Sequence, residues 1–383
     1  MQLEVFEMER MQSLFEHHVE LNLSESGVEP LRLEELLALG RSDHLAALLA
    51  QPLGYTQTNG TVELRSRIAA MYQGATPEHV EVTSGGAEAN LLVLTHLVQP
   101  GDEVVLMLPN YMQAWGLIRG LGGTVREWWL RERIIDGQPR WRPDLDELER
   151  LVSPRTRLVA ICAPNNPTGA RFDDADFEAI CRVAARHGAW VLSDEIYRGA
   201  ELDGRESPSA WGRYERTLVT SGLSKAYGLP GLRIGWAVGP PATVAHLWAV
   251  HDYTTIAPAA LSDRLARLAL EPEVRARLLA RTRTILREQF EVVRAWVAAS
   301  TPLVSMVPPE AAAIALVKYA VPVPSAVLAE RLRREKSTLV VPGDQFRMEG
   351  YLRIGFGSLH HPLQQALSRL GELLTQVASE PAR

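Results

Sequence analysis

The sequence predicts an α/β protein with a large domain, built on a mostly parallel sheet covered by helices, and a smaller α+β domain. The chain has 383 residues, which is too many for one small core and suits two domains of unequal size. Through its middle, short apolar segments alternate with segments of helical spacing, a pattern typical of parallel strands joined by helices. After Ser262 this alternation stops, and the pattern predicts long helices followed by short strands.

Seven segments predict the strands of the large sheet, because each is short and rich in apolar or β-branched residues. They are residues 80–83, 103–108, 124–130, 157–163, 189–193, 217–220 and 234–238. The helices predicted between them are residues 87–98, 112–121, 144–151 and 173–187. In the last of these, Phe177, Ile180, Val183 and Ala184 share one face, and Gly188 follows as a C-terminal cap.

The C-terminal part predicts a smaller unit. Residues 264–300 are rich in Ala, Leu and Arg and predict one or two long helices. Beyond them, residues 313–319, 338–341 and 351–356 predict strands, and residues 325–335 and 362–377 predict helices. This mixture of short strands and helices is the expected small α+β domain.

Charge and composition exclude several classes of protein. The formal net charge of −6 argues against a nucleic-acid partner, which would require a basic patch. Two cysteines, Cys162 and Cys181, do not make a disulfide framework and fit a reducing compartment. The N-terminus lacks the features of a signal peptide, and no apolar run is long enough to cross a bilayer. The expectation is a soluble cytoplasmic protein with no membrane or nucleic-acid partner, and no spacing of residues predicts a metal site.

Three polar runs follow predicted strands. Residues 163–169 read Ala-Pro-Asn-Asn-Pro-Thr-Gly, residues 193–197 read Ser-Asp-Glu-Ile-Tyr, and residues 224–235 contain Ser-Lys followed by Arg-Ile-Gly. Because ligands of such sheets bind at the carboxyl ends of the strands, these runs are expected to converge. Lys225 lies among small residues, with Arg233 eight positions later. An amine and a guanidinium so placed suit a Schiff base to a phosphorylated aldehyde.

With these three runs in this order, the chain resembles the class I/II aminotransferases of the fold-type I family, which use pyridoxal phosphate. The resemblance extends from about Asn22 to about His361. It implies a small domain formed by both termini, and so a division into residues 1–45, which join the small domain, residues 46–270, the large cofactor-binding domain, and residues 271–383, the connecting helix and small domain.

The resemblance also implies roles for individual residues. Lys225 would form the Schiff base and move the proton from the substrate, Asp194 would pair with the pyridine nitrogen, and Tyr197 with Asn166 would hydrogen-bond the phenolic oxygen. The remaining cofactor contacts implied are Tyr111 on the ring face and, around the phosphate, Arg233, Ser224 and the N–H groups of Gly86, Ala87 and Glu88.

For the substrate, the resemblance implies that Arg353 grips the α-carboxylate, with Asn166 and Gly27 beside it. Tyr55 matches a tyrosine that reaches the phosphate of the neighbouring subunit, which implies a homodimer with shared active sites. One departure from the family pattern is Gly222, where Ser or Thr is usual; Ser221 or Ser224 would have to replace that phosphate contact.

The implied activity is transfer of an amino group between an amino acid and a 2-oxo acid. An alternative is a cyclase, lyase or oxidase with the same cofactor, since the chain is also similar to capreomycidine synthase-like members of the family. A second alternative is a silent module that only senses the cofactor, but intact Lys225, Asp194 and Arg353 argue against it. A family member specific for dicarboxylates would be expected to have a second, carboxylate-binding arginine in the run from His251 to Pro258. This run contains no arginine, which favours a neutral, aromatic or basic substrate.

Overall fold

The computed structural model describes residues 2–40 and 43–380. Its strands are β1 (Leu21–Asn22), β2 (Val80–Thr83), β3 (Glu103–Leu108), β4 (Thr124–Ile135), β5 (Gln138–Pro143), β6 (Thr156–Cys162), β7 (Trp190–Asp194), β8 (Thr217–Gly222), β9 (Gly235–Val238), β10 (Val304–Met306), β11 (Ile314–Tyr319), β12 (Thr338–Leu339), β13 (Val341–Pro342) and β14 (Tyr351–Gly355). Its helices are α1 (Glu7–Phe15), α2 (Leu33–Leu39), α3 (His44–Leu49), α4 (Val62–Ala69), α5 (Gly86–Leu97), α6 (Gln113–Gly120), α7 (Leu145–Leu151), α8 (Asp174–Arg186), α9 (Pro241–His251), α10 (Ala260–Ala269), α11 (Pro272–Ala299), α12 (Ser325–Lys336) and α13 (Leu363–Ser379).

The large sheet has eight strands in the order β2-β9-β8-β7-β6-β3-β4-β5. Its central pairs, from β8 to β4, are parallel, whereas β9 is antiparallel to both neighbours and β5 is antiparallel to β4. The α/β class and the mostly parallel sheet are therefore confirmed. The strand number of seven is low by one, because Asp136 and Gly137 form a tight hairpin turn that adds β5 to an extended β4.

The sheet is buried on both faces, which explains why its central strands are continuously apolar. In β3, Val104, Leu106 and Leu108 join one hydrophobic cluster, while Val105 and Met107 join a second cluster on the opposite face. This alternation follows from the period of two along a strand. Helix α5 packs on the same face as Val104, where its Leu92, Val93 and Leu94 are fully buried.

The smaller unit contains a four-stranded antiparallel sheet in the order β10-β11-β14-β13. A separate two-stranded parallel sheet pairs β1 with β12, with Leu21 opposite Thr338. An N-terminal strand therefore pairs with the C-terminal part of the chain. The predicted strand at residues 338–341 is divided between these two sheets as β12 and β13, and the short strand β10 was not predicted. In residues 2–40 and 43–380, no helix combines the length and the hydropathy that a bilayer span requires.

Candidate active site

A cavity of about 370 Å³ opens at the carboxyl ends of β6, β7 and β8, against the first turn of α5. It collects residues from all three polar runs and from both termini. The predicted site residues that line it are Gly86, Ala87, Tyr111, Asn166, Asp194, Tyr197, Ser224, Lys225, Arg233 and Arg353. The parallel strand order produces this convergence, because β6, β7 and β8 end side by side at one edge.

Lys225 follows β8 and extends into the cavity without a hydrogen bond or an ion pair to the described residues. Burial lowers the pKa of its amine, and Arg353 and Arg233 lower it further, whereas Glu25 and Glu9 oppose the shift. A lowered pKa increases the fraction of neutral amine, which is the nucleophilic form. The cavity therefore contains an amine suited to attack a carbonyl.

Asp194 ends β7, and two donors hold its carboxylate. Asn90 Nδ2 donates to it at 2.8 Å, and the backbone N–H of Ile196 donates at 3.1 Å. Burial raises the pKa of the Asp194 carboxyl, and these two hydrogen bonds oppose that rise. Thr220 Oγ1 in turn donates to Asn90 Oδ1 at 2.7 Å, so a side chain of β8 orients the amide. A cation placed against Asp194 would favour its ionised form.

Asn90 was missed in the sequence analysis, although the sequence contained a signal. It is the one polar residue in the run from Ala89 to Leu94, which is otherwise apolar. Burying an amide among apolar side chains is costly unless it is hydrogen-bonded. A single amide at such a position therefore indicates a buried polar partner, which here is Asp194.

Arg353, on β14, is the most deeply buried charge of the cavity, with 1% of its surface exposed. Its Nη1 donates to Asn166 Oδ1 at 3.0 Å, its Nη2 donates to the carbonyl of Ser24, and its Nε has no partner in the described structure. Burial lowers the pKa of this guanidinium, and Tyr197 opposes the shift most strongly. An unsatisfied buried donor costs about 1–3 kcal/mol, so the cavity suits a ligand oxygen at this point.

Arg233 also lines the cavity, and its guanidinium lies beside Gly85, directly before α5. It has a left-handed backbone with φ of 49°, and its Nη1 donates to Ser224 Oγ at 3.4 Å and to the carbonyl of Pro230 at 3.2 Å. Gly86 and Ala87 begin a twelve-residue helix, whose first N–H groups have no partner within the helix. A guanidinium and a helix N-terminus together form an anion site.

Glu88 was expected to join this anion site through its backbone N–H group. Its backbone N–H donates to the carbonyl of Gly85 at 3.2 Å, and its side chain accepts hydrogen bonds from Ser84 N–H and from the hydroxyls of Thr254 and Thr255. Glu88 does not line the cavity. The side chain of Glu88 therefore supports the loop that begins α5, and the contact of its backbone N–H with a phosphate stays a prediction.

Three predicted residues remain: Tyr111 lines the cavity, Gly27 borders it, and Tyr55 lies outside it. Tyr111 donates its hydroxyl to Glu9 at 2.8 Å. A Cβ built on Gly27 would lie 3.5 Å from the carbonyl oxygen of Ser224 and 3.8 Å from Lys225 Cδ, so Gly27 borders the lysine. Tyr55 is 90% exposed and does not line the cavity of its own chain.

Gly222 departs from the usual residue because the backbone around it leaves no room for a side chain. A Cβ built there would lie 2.8 Å from the carbonyl oxygen of Ile234, and a Cβ on Gly235 would lie 2.3 Å from the carbonyl carbon of Gly85. Of the two serines that could replace a contact, Ser224 lines the cavity, whereas Ser221 donates to the carbonyl of Glu195 at 3.2 Å.

Gly222→Ser is expected to destabilise the protein by about 1–3 kcal/mol, because the added atoms require a shift of the β8 and β9 backbones. Urea unfolding of purified protein measures this directly. Gly116→Ser is the matched control, since a Cβ there meets nothing within 4 Å; its free energy of unfolding should change by less than about 0.5 kcal/mol. Equal stability of the two variants would contradict the steric explanation.

One wall of the cavity was not anticipated. Glu9, Gln12, Ser13 and Glu16, on or directly after α1, line the cavity together with Glu25. Of the apolar residues on the same helix, Met8 also lines the cavity. The four polar residues have helical spacing, so the sequence shows that they share a face. Which way that face points depends on how α1 packs against the rest of the chain.

We compared the sequence and the fold of this chain with those of known proteins. A family model described as "Aminotransferase class I and II" matches residues 43–370. The chain is 33% identical to capreomycidine synthase of Streptomyces vinaceus, over 82% of this chain and 79% of that protein. It is 30% identical to arginine–pyruvate transaminase of Pseudomonas aeruginosa, over 86% of each. A PLP-dependent aminotransferase structure from Streptococcus suis superposes with a TM-score of 0.91 and 33% identity, covering 100% of both chains.

Proposed function

Since this chain belongs to the aminotransferase class I and II family, we propose that the cavity around Lys225 is the active site of a pyridoxal-phosphate-dependent aminotransferase. The enzyme moves an amino group between an amino acid and a 2-oxo acid. The observation that carries the proposal is that an amine, a carboxylate and a guanidinium, on Lys225, Asp194 and Arg353, face one cavity.

The residues fit the cofactor that the family implies. Arg233, Ser224 and the first turn of α5 suit its phosphate, Asp194 suits the pyridine nitrogen, and Lys225 suits the aldehyde. Asn166 and Tyr197 suit the phenolic oxygen, and Tyr111 suits the ring face. Bound pyridoxal phosphate supplies an aldehyde that condenses with amines and a ring that accepts electrons from the substrate Cα.

Three residues of this chain have separate roles in the proposed reaction. Arg353 holds the substrate α-carboxylate, which fixes the Cα near the Lys225 amine. Lys225, whose amine has a pKa lowered by burial, would take the proton from that carbon and deliver it to the carbon of the cofactor that carried the aldehyde oxygen. Asp194, held by Asn90 and Ile196, keeps a positive charge in place at the ring nitrogen. Ping-pong kinetics are the expected signature.

A second candidate function is cyclisation or elimination on the same residues, and the 33% identity to capreomycidine synthase favours keeping it. Both functions need Lys225, Asp194 and Arg353, because both begin by removing the Cα proton. A panel of amino acids with 2-oxoglutarate or pyruvate as the acceptor separates them. Transamination requires the acceptor and produces a second amino acid; consumption of the donor without an acceptor supports the second candidate.

We also propose a homodimer in which Tyr55 completes the partner's site. Tyr55 is 90% exposed, and nearby Leu49 and Leu53 are 79% and 83% exposed, so this surface is apolar and uncovered in a single chain. We further propose that the chain divides into domains after residues 45 and 270, and that the protein is cytoplasmic. The free, buried cysteines Cys162 and Cys181 support that location, and cell fractionation tests it.

Mixing the inactive variants Tyr55→Ala and Lys225→Ala is expected to restore about a quarter of wild-type activity. Half of the randomly mixed dimers contain one subunit of each kind, and each such dimer has one complete site out of two. If Tyr55 served its own subunit, no mixed dimer would contain a complete site. Activity that stays at the level of the separate variants after unfolding and joint refolding would therefore contradict the proposal, provided that refolded wild type regains its activity.

A further inference from the structure

The acidic wall of the cavity comes from two segments near the N-terminus. Glu9, Gln12, Ser13 and Glu16 share one face of α1 and the residue after it, because they are spaced by three or four positions. Glu25 follows β1. Gln12 Nε2 donates to the carbonyl of Ser24 at 2.9 Å, which ties the helix to the segment that carries Glu25. We refer to Glu9, Glu16 and Glu25 as the acidic wall.

The charges of the cavity do not balance without a further cation. Its lining contains three basic side chains, Lys225, Arg233 and Arg353, and the proposed function assigns each of them a partner. Asp194 likewise has a partner at the ring nitrogen. The acidic wall has no basic partner: in the described structure, none of its carboxylates pairs with a lysine or an arginine. Glu9 accepts a hydrogen bond from Tyr111, and Glu16 lies 3.4 Å from the exposed His17.

The acidic wall faces the reacting groups. Glu25 and Glu9 both oppose the lowering of the pKa of Lys225, and both oppose the lowering of the pKa of Arg353. Burial raises the pKa of the Glu16 carboxyl, and the neighbouring Glu25 carboxylate raises it further. Two of these carboxylates therefore act on the groups that would bind the α-amine and α-carboxylate, and the third adjoins them.

A second observation points to a ligand in the same space. The unpaired Nε of Arg353, in a side chain that is 1% exposed, marks a binding point for an anionic group. When an amino acid places its carboxylate on Arg353 and its amine near Lys225, the acidic wall remains as the polar surface available to its side chain. An apolar side chain there would desolvate carboxylates without compensation, and an acidic one would be repelled.

We propose, resting on the proposed function, that the acidic wall binds a positively charged substrate side chain, a guanidinium or an ammonium group. The preferred donor is thus a basic amino acid of the arginine, ornithine or lysine class. A guanidinium suits this wall well, because its planar fork donates to two carboxylates at once. The acidic wall is a specificity element and takes no part in proton transfer at the Cα.

The test compares L-arginine with L-citrulline, which has nearly the same shape but a neutral side chain. Wild-type holoenzyme should consume arginine with a kcat/KM roughly 10- to 100-fold higher than citrulline, the range for a charge-assisted hydrogen bond. L-Lysine and L-ornithine, compared with L-norleucine and L-norvaline, extend the test to ammonium groups. Binding without turnover is read from the inhibition constants of 5-guanidinopentanoate and 5-ureidopentanoate, which lack the amine.

The variants Glu16→Gln, Glu25→Gln and Glu9→Gln should each lower the arginine-to-citrulline ratio, and the double variant of Glu16 and Glu25 should bring it close to one. Glu7→Gln is the matched control, because Glu7 lies on the same helix but does not line this cavity. Its ratio should equal that of wild type. Circular dichroism and cofactor absorbance show whether each variant is folded.

The outcomes separate the two proposals. If wild type prefers neutral, aromatic or acidic donors, or if the ratio survives loss of all three carboxylates, the substrate inference is wrong while the proposed function stands. If no amino acid is consumed and no lysine binds the cofactor, the proposed function itself fails. Preference for arginine, whether it is transaminated or cyclised, supports the acidic wall as its binding surface.

Discussion

Lys225→Ala is expected to lower turnover by at least about 10⁴-fold, because one amine serves both as the covalent attachment and as the proton carrier. The variant should also lose the visible absorbance that a lysine-bound cofactor gives. Because the Lys225 amine makes no hydrogen bond or ion pair to the described residues, its removal should leave the fold intact. Thermal unfolding of the cofactor-free protein should therefore match that of wild type within a few degrees.

The chain contains only three lysines, Lys225, Lys318 and Lys336, so the other two serve as controls for the assignment of Lys225. Lys318 is exposed, and Lys336 pairs with Glu372 at 2.8 Å. Borohydride reduction of the holoenzyme followed by peptide mapping should place the cofactor on Lys225, and Lys318→Ala and Lys336→Ala should remain labelled and active. A label on either of the other lysines, or full turnover of Lys225→Ala, would show that the assignment is wrong.

Asp194→Asn is expected to lower kcat by about 10²- to 10⁴-fold, the range that corresponds to removing one partner of a buried ion pair. Burial already raises the pKa of the Asp194 carboxyl, with Asn90 and Ile196 opposing the rise. A cationic ring nitrogen would lower that pKa and make the carboxylate its partner. The neutral amide keeps the shape but cannot balance the charge, so the ring nitrogen loses its proton and the cofactor also binds more weakly.

Two measurements distinguish this role from a structural one. Cofactor affinity, followed by equilibrium dialysis, should fall together with kcat, and the pH dependence of the cofactor absorbance should change. Asp174→Asn is the matched control, because it makes the same isosteric change on a carboxylate whose side chain is 71% exposed. Asp174→Asn should behave as wild type. Retention of kcat within tenfold in Asp194→Asn would contradict a charge-balancing role.

The local pattern determined much of the fold. All seven predicted strands of the large sheet exist. The central strands β3 and β6 were the easiest to predict, because burial on both faces makes them almost continuously apolar. The hairpin that adds β5 was missed, since this half-buried strand lacks an apolar run and only the Asp136-Gly137 pair indicates it. The division of residues 338–341 between two sheets could not be foreseen, since it depends on β1 arriving from the N-terminus.

For the site, the sequence by itself determined which residues follow the strand ends, and parallel strands bring such residues to one edge of a sheet. That reasoning reaches Lys225, Asp194 and Asn166 without coordinates. Only the tertiary structure decided that Asn90 holds Asp194, that Gly222 admits no side chain, and that α1 turns Glu9 and Glu16 toward the cavity. The physical reason is that residues at strand ends follow from a local pattern, whereas these contacts join different elements of the fold, and the packing of the whole chain sets how those elements approach one another.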